Sequence, residues 1–122
     1  MIIDRCRNKK EFKRLYKERP MPNQYNLGFL LNNPNLFCFY GEDDGLLKGY
    51  ITVQVENGLL TLSGASVPKN MSDNIKAIMT VCDAFNEDIY AITGLKHAGY
   101  VLKKAGFVKV DDNKYVRYRN GQ

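Results

Sequence analysis

The sequence has 122 residues, of which 44% are hydrophobic and 25% are charged, and a net charge of +5; these values are typical of one globular domain over residues 1–122 and exclude a mainly disordered chain. The apolar runs are too short to cross a bilayer and no signal-peptide core follows the N-terminus, so we expect a cytoplasmic protein with no membrane contact. The three cysteines are widely spaced and there is a single histidine, which argues against a disulfide framework and against a metal site.

The first part of the chain predicts a strand followed by two helices. Residues 1–6 form the strand, and Asn8 caps the first helix with Glu11 at the capping-box spacing. That helix ends at a Pro-Met-Pro sequence, because proline cannot continue it. A second short helix, which Asn23 caps, extends to residue 31.

The middle of the chain predicts an antiparallel meander of three strands. Residues 36–40 are a buried type of strand, residues 41–45 are a polar hairpin loop, and residues 46–55 are the next strand. Asn57-Gly58 is a strong signal for a type I′ turn, after which Leu59–Ser66 returns alongside.

The last part of the chain predicts two further helices, each followed by strand structure. Residues 72–85 form the clearest helix because apolar residues recur at helical spacing. A strand over residues 88–93 and a helix over residues 95–105 follow, Gly106 ends that helix, and residues 107–118 form a final hairpin. The helix over residues 95–105 is expected to bury one face, made of Leu95, Ala98, Leu102 and Ala105.

The resulting order, β-α-α-β-β-β-α-β-α-β-β, predicts an α/β fold with a mixed, mostly antiparallel sheet and helices on both faces. This order, together with the stretch TGLKHAGYVLKKAGF at residues 93–107, resembles the GNAT (GCN5-related N-acetyltransferase) superfamily over nearly the whole chain. Members commonly show Asn, Ala, Tyr, a short basic segment and Gly-Phe in this stretch. The residues that match here are Ala98, Lys103, Lys104, Gly106 and Phe107.

The resemblance implies a GNAT-like sheet whose fourth and fifth strands lie side by side and splay apart at their C-terminal ends. It also implies transfer of an acetyl group from acetyl-CoA to a primary amine. Backbone amides around Ala65 and Val67 would hold the pantetheine arm as an extra strand. Lys69, Asn70 and Ser72 would contact the phosphates of the cofactor.

Several positions depart from the family pattern. Residues 68–74 contain no glycine where the family has a glycine-rich phosphate loop, and Asp73 places a carboxylate in the first turn of the following helix. Leu102 stands where the family has a Tyr that often donates a proton to the leaving thiolate, and Leu95 stands where it has Asn. The catalytic residue is therefore unknown, and His97 is expected to be a surface histidine.

Two functions follow from these observations. The first is an N-acyltransferase, since binding and orientation of a thioester beside an amine supply much of the rate. The second is a non-catalytic GNAT-like binding or structural protein, because the pattern from residue 94 to residue 106 is similar to the short degenerate GNAT-like proteins of tailed phages, some of them virion-associated. Its partner would be another protein or packaged DNA.

The distribution of charge bears on the choice of partner. Residues 5–19 contain eight Lys or Arg and residues 96–119 contain seven, whereas residues 20–95 contain three against eight carboxylates. In the family arrangement the two basic ends would approach each other and form one positive face for DNA or another polyanion. The alternative is a solvated surface that binds nothing.

Overall fold

The computed structural model describes residues 2–6, 8–18, 27–66 and 70–119. The predictions made for Asn23, Val67 and Lys69 lie outside these residues. The described residues form seven strands and four helices in the predicted order, so the predicted fold class is confirmed. In chain order they are β1 (Ile2–Arg5), α1 (Lys9–Glu18), α2 (Leu27–Asn32), β2 (Leu36–Asp43), β3 (Leu46–Glu56), β4 (Leu59–Ser66), α3 (Met71–Asp83), β5 (Ile89–Ile92), α4 (Lys96–Lys104), β6 (Val108–Asp111) and β7 (Lys114–Arg117).

The strands form one sheet in the order β1-β2-β3-β4-β5-β7-β6. Every neighbouring pair is antiparallel except β4 and β5, which run parallel. A parallel pair requires a crossover connection, and α3 supplies it. The single parallel junction therefore lies in the middle of the sheet, next to the start of α3.

The helices cover opposite faces of this sheet. Alternate residues of β2 point to opposite sides, as the two-residue period of a strand requires. Cys38 and Tyr40 pack with Phe12 of α1 in one hydrophobic cluster. Phe39 packs with Leu102 of α4 in the other, which also contains the buried residues of α3. Thus α1 and α2 lie on one face, and α3 and α4 lie on the other.

This arrangement contradicts one expectation about charge. The predicted positive face required the basic residues of α1 to approach those of the C-terminal part of the chain, but α1 and α4 lie on opposite faces of the sheet. Arg14 of α1 is also paired with Glu11 and Glu18 on its own helix. The prediction of one shared basic surface is wrong, because the sheet separates the two groups of cations.

Two-residue turns connect the strands of the meander. Asn57 and Gly58 both have positive φ, 51° and 79°, as the predicted type I′ turn requires. Asp44 and Gly45 form a second such turn, with φ of 51° and 74°. The loop predicted over residues 41–45 is therefore too wide, because its first residues still pair with β3.

The start of α4 corrects a second expectation. Leu102 is 5% exposed and Ala105 is fully buried, as predicted, but Leu95 is 72% exposed. Leu95 is the N-cap residue, with an extended ψ of 126°, so the helical period that places Leu102 inward does not extend to it. Gly99 and Val101 complete the buried face instead.

The end of α4 follows its prediction. Gly106 has a φ of 100° and donates to the Lys103 carbonyl at 3.1 Å, and the Phe107 N–H donates to the Leu102 carbonyl at 3.0 Å. These two bonds define a Schellman motif, in which a glycine in the left-handed region ends the helix. The turn directs Phe107 into the core beneath α4, where it is buried.

Candidate functional site

The most distinctive feature of the sheet is the gap between β4 and β5. Their parallel register covers only Leu60↔Ile89 and Thr61↔Tyr90, whereas β4 continues to Ser66 and β5 to Ile92. The two strands therefore lie side by side at their beginnings and diverge towards their C-terminal ends, as predicted. In an α/β sheet, ligands commonly bind where neighbouring strands separate at their carboxyl ends.

A β-bulge bends β4 at the start of this gap. The register with β3 passes from Val53↔Leu62 to Thr52↔Gly64, which makes Ser63 the extra residue. The Ser63 hydroxyl lies 3.0 Å from the Thr52 hydroxyl and donates to the Thr52 carbonyl at 3.3 Å, so this side chain is directed towards β3. Bulges of this kind are frequent beside functional sites, where they change the direction of a strand.

The N-terminus of α3 follows the end of β4 in the chain, with residues 67–69 between Ser66 and Asn70. Asn70 is its N-cap residue, with Oδ1 accepting from the Asp73 N–H at 3.2 Å and the backbone carbonyl accepting from the Asn74 N–H at 3.1 Å. Ser72 is exposed in the first turn. The Asp73 carboxylate suits a helix N-terminus that carries no ligand, because it offsets the positive end of the helix dipole.

Asn74 is a polar residue that the sequence analysis did not single out. It is only 8% exposed, and its Oδ1 accepts no hydrogen bond within the described part of the chain. With Asp73 it lines a small recess over the cross-strand pair Gly41 and Gly49, which have no side chains to fill the space. The unpaired Asn74 oxygen and the Asp73 carboxylate therefore both belong to the lining of this recess.

Three of the predicted cofactor-binding residues, Ala65, Asn70 and Ser72, lie within the described part of the chain. Ala65 pairs with Ile51 in the part of β4 that lies beyond the last β4–β5 pair. Asn70 and Ser72 are exposed at the beginning of α3, although Asn70 already uses its side chain as a cap. The structure thus places Ala65 on the part of β4 that does not pair with β5, and Asn70 and Ser72 at the start of α3.

The family's catalytic positions on α4 carry no titratable group. Leu102 belongs to the hydrophobic core, and Leu95 is exposed at the N-cap. His97 is exposed, as predicted, and Tyr100 points outward, where the Lys104 ammonium lies 5.5 Å from its ring centroid. Neither His97 nor Tyr100 therefore takes the place of the tyrosine that the family has at position 102.

The described residues show neither a metal site nor a membrane-spanning helix. They contain no group of three or more His, Cys, Asp or Glu side chains placed to hold a metal ion. They also contain no helix with the length and apolar character needed to span a membrane.

The architecture is similar to solved N-acetyltransferase structures. Tetrahymena GCN5 has a TM-score of 0.66 at 15% identity, covering 100% of this chain and 98% of its own. An N-acetyltransferase from Staphylococcus aureus Mu50 has a TM-score of 0.64 at 12% identity, covering 97% and 95%. AtaTR bound with AcCoA has a TM-score of 0.54 at 12% identity, covering 98% and 93%.

No protein-family model matches the sequence, and no curated protein matches it significantly. Identities this low define the fold alone. The chain therefore has the GNAT fold, and its activity has to be argued from the gap between β4 and β5 and from the residues around it.

Proposed function

We propose that this chain is a GNAT-type N-acyltransferase that transfers an acetyl group from acetyl-CoA to a primary amine. The observation that carries the proposal is the divergence of β4 from β5 after Thr61 and Tyr90. An extended pantetheine arm can enter such a gap and bond to the exposed edge of β4 as an added strand would. The backbone around Ala65 and Val67 would hold it.

Binding and orientation would supply most of the rate. Holding a thioester and an amine in the right geometry contributes a large part of the acceleration in such reactions. The bulge at Ser63 supports this role, because it bends β4 where the two strands begin to part. Leu95 and Leu102 offer no proton donor, so no side chain on α4 is assigned a catalytic role.

The start of α3 suits the diphosphate of acetyl-CoA less well than the gap suits the pantetheine arm. The Asp73 N–H already bonds to Asn70, and the Asp73 carboxylate would repel a diphosphate at the same helix end. Asn74 is next in the chain and is only 8% exposed, so little of its side chain is open to a phosphate group. The pantetheine arm is therefore the main anchor in this proposal, with Lys69, Asn70 and Ser72 as the remaining contacts to phosphate.

Comparing acetyl-CoA with acetyl-pantetheine tests the proposal. The protein is mixed with each thioester and a panel of primary amines, and acetylated amine is measured by mass spectrometry against the reaction without protein. Acceleration with both donors is the expected result. Acceleration by neither donor, with the protein folded by circular dichroism, would overturn the enzymatic function.

A second candidate function is a non-catalytic GNAT-like binding or structural protein, such as a phage virion-associated protein. The observation that favours it is the capped start of α3, where Asn70 and Asp73 complete the helix without a ligand. The buried Leu102 in place of tyrosine also fits this alternative. Absence of binding as well as turnover, measured calorimetrically with both thioesters, is the result that this candidate requires.

A further inference from the structure

Cys6 and Cys38 face each other across the first two strands. The antiparallel register of β1 and β2 ends at Arg5↔Phe39, and one residue further the Cys6 N–H donates to the Cys38 carbonyl at 2.8 Å. Directly opposed residues joined in this way have Cα atoms about 5.5 Å apart. A disulfide bridges Cα separations of about 4.4–6.8 Å, so the spacing of this pair lies within the range that a disulfide can span.

Both thiols lie on the face that α1 and α2 cover. Cys38 is 3% exposed in the cluster that contains Phe12 and Leu30, and Cys6 packs against the same cluster. Hydrogen bonding to the Cys38 thiol and burial raise the pKa of the Cys6 thiol. Both cysteines are free thiols here.

A solvent-connected cleft reaches the pair. Cys6 and Cys38 line it together with the end of α2, and Cys6 is only half-buried. Arg5 and Lys9 line the same cleft and supply positive charge. A small anionic reagent can therefore reach Cys6 and would be attracted to it.

We propose that Cys6 and Cys38 are a redox-active dithiol, which a low-molecular-weight disulfide converts to a cross-strand disulfide. The Cys6 thiolate attacks one sulfur of the reagent and forms a mixed disulfide, and the other half of the reagent leaves as a thiol. The Cys38 thiolate then attacks Cys6 Sγ and displaces the second half. Two protein thiols are oxidised and one reagent disulfide is reduced to two thiols, with the protons passing to the leaving thiolates.

A disulfide between Cys6 and Cys38 would cross-link the two ends of the segment that contains α1 and α2. The disulfide closes a loop from β1 to β2 that includes both helices, which restricts the unfolded chain and stabilises the fold. Because the pKa of Cys6 is raised, the thiolate fraction is small and the reaction is slow at neutral pH. The disulfide nevertheless joins residues that are already held opposite each other by a backbone hydrogen bond.

Cys82 is a matched internal control. It lies in the other hydrophobic cluster, on the opposite face of the sheet, and burial raises its pKa to about 12. It is too well covered to react in the folded protein and has no cysteine opposite it within the described residues.

In the test, the folded protein is incubated with glutathione disulfide and then denatured, and the remaining thiols are blocked with N-ethylmaleimide. The products are mapped by mass spectrometry. The expected product has lost two hydrogen atoms, joins the Cys6 and Cys38 peptides, and carries one maleimide, on Cys82. Its Tm rises by about 5–15 °C and returns on reduction. A disulfide that includes Cys82, an intermolecular disulfide, or no disulfide after full incubation would overturn the proposal.

Variants separate the two steps. Cys82→Ala is expected to oxidise as the native protein does. Cys38→Ser is expected to stop at a glutathione adduct on Cys6, and Cys6→Ser is expected to resist modification. Equal modification of Cys38 in Cys6→Ser would contradict the assigned order of attack; if Cys38→Ser does not fold, the peptide map of the native sequence still decides the pairing.

Discussion

Gly99 of α4 lies directly against the side chain of Tyr115 on β7. A β-carbon built at Gly99 would be 2.5 Å from the Tyr115 hydroxyl oxygen, closer than such atoms approach in real proteins, and 3.3 Å from its Cζ, which is a tight contact. Both residues are buried. The absence of a side chain at position 99 therefore lets α4 pack this closely on the sheet.

Gly99→Ala is expected to destabilise the protein although alanine is the better helix former. Overpacking costs about 1–3 kcal/mol, and the gain in helix propensity returns up to about 1 kcal/mol. Urea unfolding measures the difference. In a Tyr115→Phe background the nearest clash is removed, so the cost of Gly99→Ala is expected to fall below about 0.5 kcal/mol.

An unchanged cost in the two backgrounds would mean that α4 does not rest on the Tyr115 hydroxyl. A stabilising effect of Gly99→Ala in the native sequence would mean that the helix is free to move outward at this point.

Predictions from the sequence succeeded where local chemistry decides the structure. Asn57-Gly58 and Gly106 adopt the positive φ that their turns require, and Asn8 caps α1 by accepting from the Glu11 N–H at 3.1 Å. The error at Leu95 has a local cause as well. Leu95 is apolar and lies one helical turn before the buried Gly99, so its spacing predicts a place on the buried face. The helix, however, begins only at Lys96.

The features that shape the candidate site were harder to predict, since they depend on how distant segments pair. The bulge at Ser63 exists only in the register of β4 with β3, and glycine at position 64 is its one signal in the sequence. The contact between Cys6 and Cys38 likewise requires the β1–β2 register. The orphaned Asn74 oxygen depends on the packing of α3 against the sheet.

Leu102→Ala is expected to cost about 2–5 kcal/mol, because Leu102 is buried in the hydrophobic core between α4 and the sheet. Leu95→Ala is the matched control on the same helix. Its side chain is exposed, so the free energy of unfolding should change by less than about 0.5 kcal/mol. Denaturant unfolding of both variants checks the difference, and equal costs would show that the phase assigned to α4 is wrong.

Asn70→Ala is expected to lower the free energy of unfolding by about 0.5–2 kcal/mol, because the Asp73 N–H loses the acceptor that caps α3. Asn8→Ala removes the equivalent bond at α1 and should cost a similar amount. Asn70→Ser or Asn70→Asp keeps an oxygen acceptor and should restore most of the loss. Failure of both to do so would show that the Asn70 side chain acts otherwise than as a cap.

Acetyl-CoA is expected to bind weakly, with a Kd above about 100 μM, equivalent to about −5.5 kcal/mol. The reason is the chemistry at the start of α3. The Asp73 N–H already donates to the Asn70 side chain, so it is not free for a phosphate oxygen, and the Asp73 carboxylate places negative charge at the proposed position of the diphosphate. Isothermal titration calorimetry measures the Kd. A value in the low micromolar range would show that this helix end accepts phosphate as it stands.

Asp73→Asn is expected to tighten acetyl-CoA binding about three- to tenfold, or about 0.7–1.4 kcal/mol, because it removes the like charge nearest to the diphosphate. Binding of acetyl-pantetheine, which lacks the diphosphate, should not change.

Glu87→Gln is the control, since it removes one exposed carboxylate just before β5, at the opposite end of that strand from the gap. The gain should shrink as salt screens the repulsion. Equal changes for both thioesters would mean that Asp73 acts through the fold of α3, and circular dichroism and Tm of the variant would show that directly.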